Sequence, residues 1–268
     1  MYKLINRFAR GPFLVTVVGC GGTGGFVAEG LCRLLTAQAD LLLVDHDRVE
    51  EANLGRQNFT HDELGCFKSE ALARRLSTKF RRPVAYSTLP MAMVPISPPG
   101  FVIGCVDNGP ARRDIADRVS RDMAWRNGGW WIDAGNGENY GQILVGNSPD
   151  TRDLGDSFDP EHGICWALPL PTLQRPELLL QRPPRRDCAQ ATAAGEQGPV
   201  INQAMAVLVV ELARRLIEGT CSWMQLYLDL EAGTLSTVLA TPKAVARMTG
   251  VSERLLVKII PKGGEHEH

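Results

Sequence analysis

The chain is 268 residues long, 44% hydrophobic and 22% charged, with a formal net charge of −1. That length buries a full core in one large or two small domains, and the charge balance gives no reason to expect a nucleic-acid or membrane surface. No apolar run approaches the roughly 20 residues of a membrane span and no signal-peptide core opens the chain, so the seven cysteines, which include no C-x-x-C pair, are expected as reduced thiols in a cytoplasm.

Residues 1–12 hold Arg7 and Arg10 and read as an arm or short helix. Residues 13–18, FLVTVV, are apolar and β-branched, the pattern of a buried strand. The run breaks at Gly19, and Gly19, Gly21 and Gly24 fall into the spacing G-x-G-x-x-G. Phe26, Val27, Gly30, Leu31, Leu34 and Leu35 then recur at helical spacing. Strand, glycine turn and helix together form the context in which backbone N–H groups and a helix N-terminus cradle a phosphate. A second strand, Leu41, Leu42, Leu43 and Val44, ends at Asp45, where such folds place a carboxylate on ribose hydroxyls.

Residues 45–65, DHDRVEEANLGRQNFTHDELG, are too long and polar for a simple connection, and long loops in compact domains tend to be functional. Residues 67–80 show an apolar stripe of Ala71, Leu72, Leu76 and Phe80, and residues 84–89 read as a third strand. Residues 101–106, FVIGCV, are a buried strand ending in Asp107-Asn108, followed by a helix through Pro110, Ile115, Val119 and Met123. Strands at 130–133 and 140–145 follow. The alternation implies a Rossmann-like, doubly wound α/β fold with a largely parallel sheet, its ligand candidates at the strand ends.

Residues 148–186 carry seven prolines and few periodic apolar residues, and read as an extended or mobile crossing segment. His162-x-x-Cys165 within it is a loop coincidence rather than a ligand pair. Cys188 follows, then a long, mostly buried helix over 200–217 with Gly219 as its stop. Residues 226–230 and 235–239 read as two antiparallel strands, an addition to the parallel sheet, and the chain ends in a frayed tail. The expected division is a nucleotide-binding region over 1–147, a Pro-rich crossover over 148–187 and a C-terminal part over 188–268 that completes the same domain.

Each candidate taken singly has a bland alternative. Lys68 is a lysine opening a helix, Asp107 could cap the next helix, and Arg56 could be a solvated loop charge. Together they place two cations, a Mg²⁺-competent carboxylate and a ribose-binding acid around one phosphate cradle. That inventory suits chemistry at the phosphates of ATP better than hydride transfer from a nicotinamide.

The ordered string GCGGTGG, LVDHDRVEEANLGRQ, KSEAL and CVDN resembles the ThiF/MoeB-type family of adenylating enzymes, which includes the ubiquitin-activating enzymes. It covers residues 13 to about 135, and within the family it is most similar to the ThiF-family proteins of bacterial PRTRC gene systems. The resemblance implies that Mg-ATP and the C-terminal glycine carboxylate of a ubiquitin-like, β-grasp or sulfur-carrier protein react to give an acyl-adenylate and pyrophosphate. On the same basis Gly19, Gly21, Gly22 and Gly24 cradle phosphates, and Asp45, with Asp47 beside it, holds the ribose. Asn53, Arg56, Gln57 and Lys68 contact the phosphates, and Asp107, with Asn108 beside it, holds Mg²⁺. Arg56, Lys68 and Asp107 are the implied catalytic residues.

Cys188, in RRDCAQATAAGEQGPV, is similar in place to the reactive cysteine of several family members. Arg185, Arg186 and a following helix would stabilise its thiolate; the alternative is a small packing residue. The family's zinc-binding cysteine pairs and its arginine-containing N-terminal motif are missing here. Arg7 or Arg10 is the substitute candidate for the arginine that family homodimers donate across subunits. Two other functions compete: an NAD-dependent oxidoreductase, which the glycines and Asp45 alone would permit, and a non-catalytic nucleotide-binding subunit.

Overall fold

A computed structural model describes residues 1–6, 11–95, 100–121, 128–181 and 198–259. The first half alternates strand and helix. It runs β1 (Lys3–Leu4), β2 (Phe13–Val18), α1 (Gly22–Leu34), β3 (Ala39–Val44), α2 (Lys68–Phe80), β4 (Ala85–Ser87), β5 (Gly100–Gly104), α3 (Gly109–Arg121) and β6 (Trp130–Asn136). There follow β7 (Tyr140–Gly146), β8 (Phe158–Asp159), β9 (Ile164–Cys165), α4 (Pro171–Gln174), α5 (Pro199–Ile217), β10 (Trp223–Asp229), β11 (Thr234–Leu239), α6 (Pro242–Thr249) and α7 (Glu253–Leu256).

Eight of the described strands form one sheet in the order β11-β10-β7-β6-β5-β2-β3-β4. β2 pairs parallel with β3 on one side and with β5 on the other, and β4 and β6 extend the parallel set. The chain therefore winds outward in two directions from β2. The crevice between β2 and β5, at their C-terminal ends, is the switch point where open α/β sheets take ligands. The antiparallel portion begins at β7, which folds back on β6 through a tight connection and pairs with β10. No helix separates β6 from β7, so a parallel crossover was unavailable.

The strands read as unbroken apolar runs because both faces of the sheet are covered. Val17, Leu43, Phe101, Ile103, Trp130 and Ile132 point into the larger core, shared with α1, α2 and α5. Their neighbours Val18, Val44, Val102 and Trp131 point into a second core with Ile115 and Val119 of α3. Successive residues alternating between two cores is the period of a strand expressed in a doubly wound fold.

The third predicted strand is shorter than 84–89. The Val84 N–H is taken by Ser77 Oγ at 3.1 Å and the Leu89 N–H by Ser87 Oγ at 3.2 Å, leaving Ala85–Ser87 for the ladder. Residues 148–181 are folded against the body rather than extended. They carry helical turns at Thr151–Leu154 and Pro176–Leu180 and bury Leu154, Phe158, Cys165, Leu168, Leu170 and Leu178. Their apolar residues serve successive turns, so burial here has no period for a pattern to reveal. β8 and β9 join β1 in a small second sheet. No helix among the described residues is long and apolar enough to cross a membrane.

Candidate functional site

The glycine turn is glycine for steric reasons. Gly19 sits at φ +87°, and a Cβ there would stand 2.6 Å from the Cys105 carbonyl oxygen at the end of β5. A Cβ on Gly24 would stand 1.8 Å from the Gly19 carbonyl oxygen. The turn is thus pressed against both the adjacent strand and the helix that follows. α1 starts at Gly22 with no acidic residue in its first turn, so its positive end is not neutralised from within.

Asp45, one residue past β3, closes onto this turn. Its Oδ2 accepts the Cys20 N–H at 2.7 Å and its Oδ1 the Asp47 N–H at 2.8 Å. Burial pushes the Asp45 carboxyl above the ordinary carboxylate range, opposed by Lys68 and by those two N–H donors. Ser69, fully buried, ties α2 to both strand ends through the carbonyls of Asp45 at 2.8 Å and Ser87 at 3.0 Å. That fixes Lys68, the first residue of α2, whose ammonium stands 3.4 Å from Asp47 Oδ2 and is largely buried.

The polar loop folds over the turn from the other side. Asn53 is buried, its Oδ1 accepting the Glu50 N–H at 3.0 Å, and its carbonyl accepts the N–H groups of Arg56 at 3.2 Å and Gln57 at 2.8 Å. These bonds present the Gln57 side chain to Gly21, 3.6 Å from where a Cβ would be. Gln57 is buried, and its Oε1 has no hydrogen-bond partner among the described residues. A buried amide with an unmatched atom, facing a glycine turn, fits a site that a polar ligand completes.

Asp107 and Asn108 lie just past β5, on the far side of Gly19. The structure gives the cap of α3 to Asn108, whose Oδ1 accepts the Ala111 N–H at 2.9 Å. Asp107 is exposed, held by the Asn108 amide at 3.0 Å. An exposed carboxylate relieved of capping duty suits a hard cation that keeps most of its waters. Gly19, Gly21, Gly22, Gly24, Asp45, Asp47, Asn53, Gln57 and Lys68 are linked by these contacts, and Asp107 enters through Cys105. Cys188, Arg185, Arg186, Arg7 and Arg10 lie outside the described residues.

Several site residues escaped the sequence analysis. Arg112 and Asp133 form a fully buried ion pair beneath the Asp107 loop, with Nε 3.0 Å from Oδ2. Burial raises the Asp133 carboxyl while the guanidinium opposes it. Arg112 also donates to the side chain of Gln181, whose carbonyl takes the Gly109 N–H at 2.8 Å. An arginine early in a polar helix gives no signal that distinguishes it from a solvated charge. Thr23, Asn136 and Asn202 form a second hidden group around the base of α1. His162 turns to Asp159 Oδ2 at 3.1 Å and Cys165 to the Ala167 carbonyl at 3.4 Å, so the two do not form a ligand pair.

The ThiF family profile matches residues 13–238. Ubiquitin-like modifier-activating enzyme 5 of Drosophila grimshawi is 34% identical over 131 residues, covering 41% of this chain and 32% of that protein. The same enzyme of Drosophila ananassae is 46% identical over 63 residues, covering 24% and 15%. The chain spans about a third or less of the length of these relatives. Among solved structures, E. coli MccB with ATP has a TM-score of 0.55 at 17% identity, covering 84% of this chain and 62% of that one. PaaA has a TM-score of 0.54 at 17% identity, covering 84% and 63%. With the family profile spanning most of the chain and those structures sharing its fold, the chain belongs to the ThiF family.

Proposed function

We propose that this chain uses ATP to adenylate the C-terminal carboxylate of a small ubiquitin-like protein or peptide. The observation that carries the reading is the closure of Asp45, Lys68 and Gln57 around a glycine turn whose helix has no acid in its first turn. Its relatives carry names of modifier-activating enzymes, and solved neighbours of its fold include MccB bound to ATP. In this reading Asp45 accepts from ribose hydroxyls. The N–H groups of the turn, Gln57, Arg56 and Lys68 surround the phosphates, with the Asn53 Nδ2 as the one donor on that side chain.

In the reaction a carboxylate oxygen attacks the α-phosphorus, the bond to the bridging oxygen toward the β-phosphate breaks, and pyrophosphate leaves. Neither nucleophile nor leaving group needs a proton transfer, so the protein's task is to hold two anions in line and neutralise their charge. Lys68 and Arg56 supply that charge from the protein. Asp107 would hold Mg²⁺, which contributes further charge neutralisation at the phosphates. Thiolate attack by Cys188 on the activated carbonyl, releasing AMP, is the proposed second stage.

The finer assignment to the PRTRC-type branch and a β-grasp partner belong to the same proposal and rest on the motif string; a homodimer would need Arg7 or Arg10 in place of the missing arginine motif. ATP–pyrophosphate exchange with small proteins or peptides ending in glycine tests it. Exchange that depends on such a partner supports adenylation. Nicotinamide binding without exchange favours the oxidoreductase reading, and ATP binding without exchange favours a non-catalytic subunit.

A further inference from the structure

Helices α1 and α5 run side by side, in the same direction, at close approach. A Cβ on Gly22 would stand 2.3 Å from Asn202 Nδ2, and one on Gly30 would stand 2.7 Å from Val210 Cγ2. Gly22 and Gly30 are a little over two turns apart on α1, as Asn202 and Val210 are on α5, so each pair lies on one face. The two contacts differ in chemistry. Val210 meets α1 with a methyl group, whereas Asn202 is an amide with no solvent exposure at the edge of the glycine turn.

Each polar atom of that amide has a partner from a different part of the chain. Asn202 Nδ2 donates to the Arg56 carbonyl at 3.3 Å. Its Oδ1 accepts from Asn136 Nδ2 at 3.1 Å and lies 3.3 Å from the Thr23 hydroxyl. The Thr23 hydroxyl donates to Asn136 Oδ1 at 2.9 Å. One side chain thus joins the polar loop, the second residue of α1, the end of β6 and the start of α5. An apolar side chain of similar size would take one donor from the part-buried Arg56 carbonyl and one acceptor from Asn136 Nδ2, which keeps the Gly137 carbonyl at 3.3 Å.

We propose that Asn202 is a positioning residue, which holds the Arg56–Gln57 backbone in register with the glycine turn so that both sides of the phosphate site meet in one geometry. The role rests on the ATP reading above for its effect on rate, but not for its effect on the loop. The Asn53 carbonyl holds the N–H groups of Arg56 and Gln57, Asn202 holds the Arg56 carbonyl, and the next residue, Asn58, is bonded to Glu29 of α1 and Arg75 of α2. With Asn58 still holding the loop to the middle of α1, loss of Asn202 releases the Arg56 peptide beside the glycine turn, and misplacement of about 1 Å there can cost about 100-fold in rate.

The test compares Asn202→Ala with Val210→Ala, which loosens the same helix pair without touching the polar junction. Thermal melting, ATP–pyrophosphate exchange and backbone hydrogen exchange are measured for both. In Asn202→Ala, turnover is expected to fall about 10- to 100-fold with a smaller change in KM for ATP, and the amides of residues 56–59 to exchange faster. Val210→Ala is expected to lose thermal stability while keeping turnover and loop protection. If Asn202→Ala does not fold, Asn202→Asp, which keeps the shape but loses the donor to Arg56, carries the same expectation. Equal loss of turnover in the Asn202 and Val210 variants, or unchanged loop protection in the Asn202 variant, overturns the proposal. If wild-type protein shows no exchange with any glycine-ended partner, the ATP reading fails, and loop protection alone then decides the positioning role.

Discussion

The N–H of Cys20 donates to Asp45 Oδ2 at 2.7 Å, so the acid after one strand is latched to the glycine turn after its neighbour. Both oxygens of that carboxylate accept a backbone N–H, so the side chain is fixed in one orientation. The carboxylate's position is therefore set by the backbone of both elements, as the proposed role in holding a ribose requires.

Asp107 and Asn108 should separate function from stability. Asp107→Ala is expected to abolish pyrophosphate exchange, as chelation of divalent metal should in the wild type, with the melting temperature nearly unchanged because the side chain is exposed. Asn108→Ala removes the cap of α3 and is expected to cost about 0.5–2 kcal/mol in urea unfolding. Metal-dependent exchange near the wild-type rate in the Asp107 variant would falsify its assignment.

Lys68→Ala and Arg56→Ala are each expected to lower turnover about 10²–10³-fold, because their charges count most where negative charge develops on the phosphates. Steady-state kinetics at saturating ATP checks this. A variant that raised KM alone would place that residue in ground-state binding.

The Arg112–Asp133 pair is fully buried, so removing one partner strands the other. Asp133→Asn is expected to cost about 3–5 kcal/mol in denaturant unfolding, far more than any exposed ion pair. A loss below about 1 kcal/mol would mean that the guanidinium is satisfied by Gln181 alone.

Glu29 gives a pH signature. Partial burial raises its carboxyl, but hydrogen bonds from Lys79, Arg33 and Asn58 outweigh this and hold it at about 2. A depressed carboxylate stabilises the fold above its unfolded value, and that stability is lost as pH falls through the folded value. Glu29→Gln should therefore be less stable than wild type at pH 7, with the gap closing between pH about 4.5 and about 2. A gap independent of pH, followed by circular dichroism, would assign the loss to shape rather than charge.

Cys188→Ala is expected to form the acyl-adenylate but no thiol-sensitive adduct with a partner that the wild type links covalently. Gel electrophoresis with and without reducing agent reads this out. An adduct that persists in Cys188→Ala and vanishes in Cys165→Ala would move the step to Cys165, although that thiol is fully buried with its ionisation pushed up.

The glycine turn and the residues at the strand ends were legible because each signal there is local. Glycine spacing, an apolar run and the acid that ends it all lie within a few residues of one another. The cap of α3 was harder to place, since Asp107 and Asn108 are both competent and only backbone geometry gave the role to Asn108. The fold of residues 148–181 was not legible, because prolines and short turns bury Leu154, Phe158 and Leu178 without a period.

By itself the amino-acid order determined the doubly wound architecture and the identity of the groups at the strand ends, because period and motif act over short stretches of chain. Tertiary structure alone decided that Asn202 meets Gly22, that Arg112 pairs with Asp133 and that Gln57 faces Gly21. Those partners stand far apart in sequence, and whether a polar side chain is solvated or buried against a specific partner is settled only when the helices and strands pack.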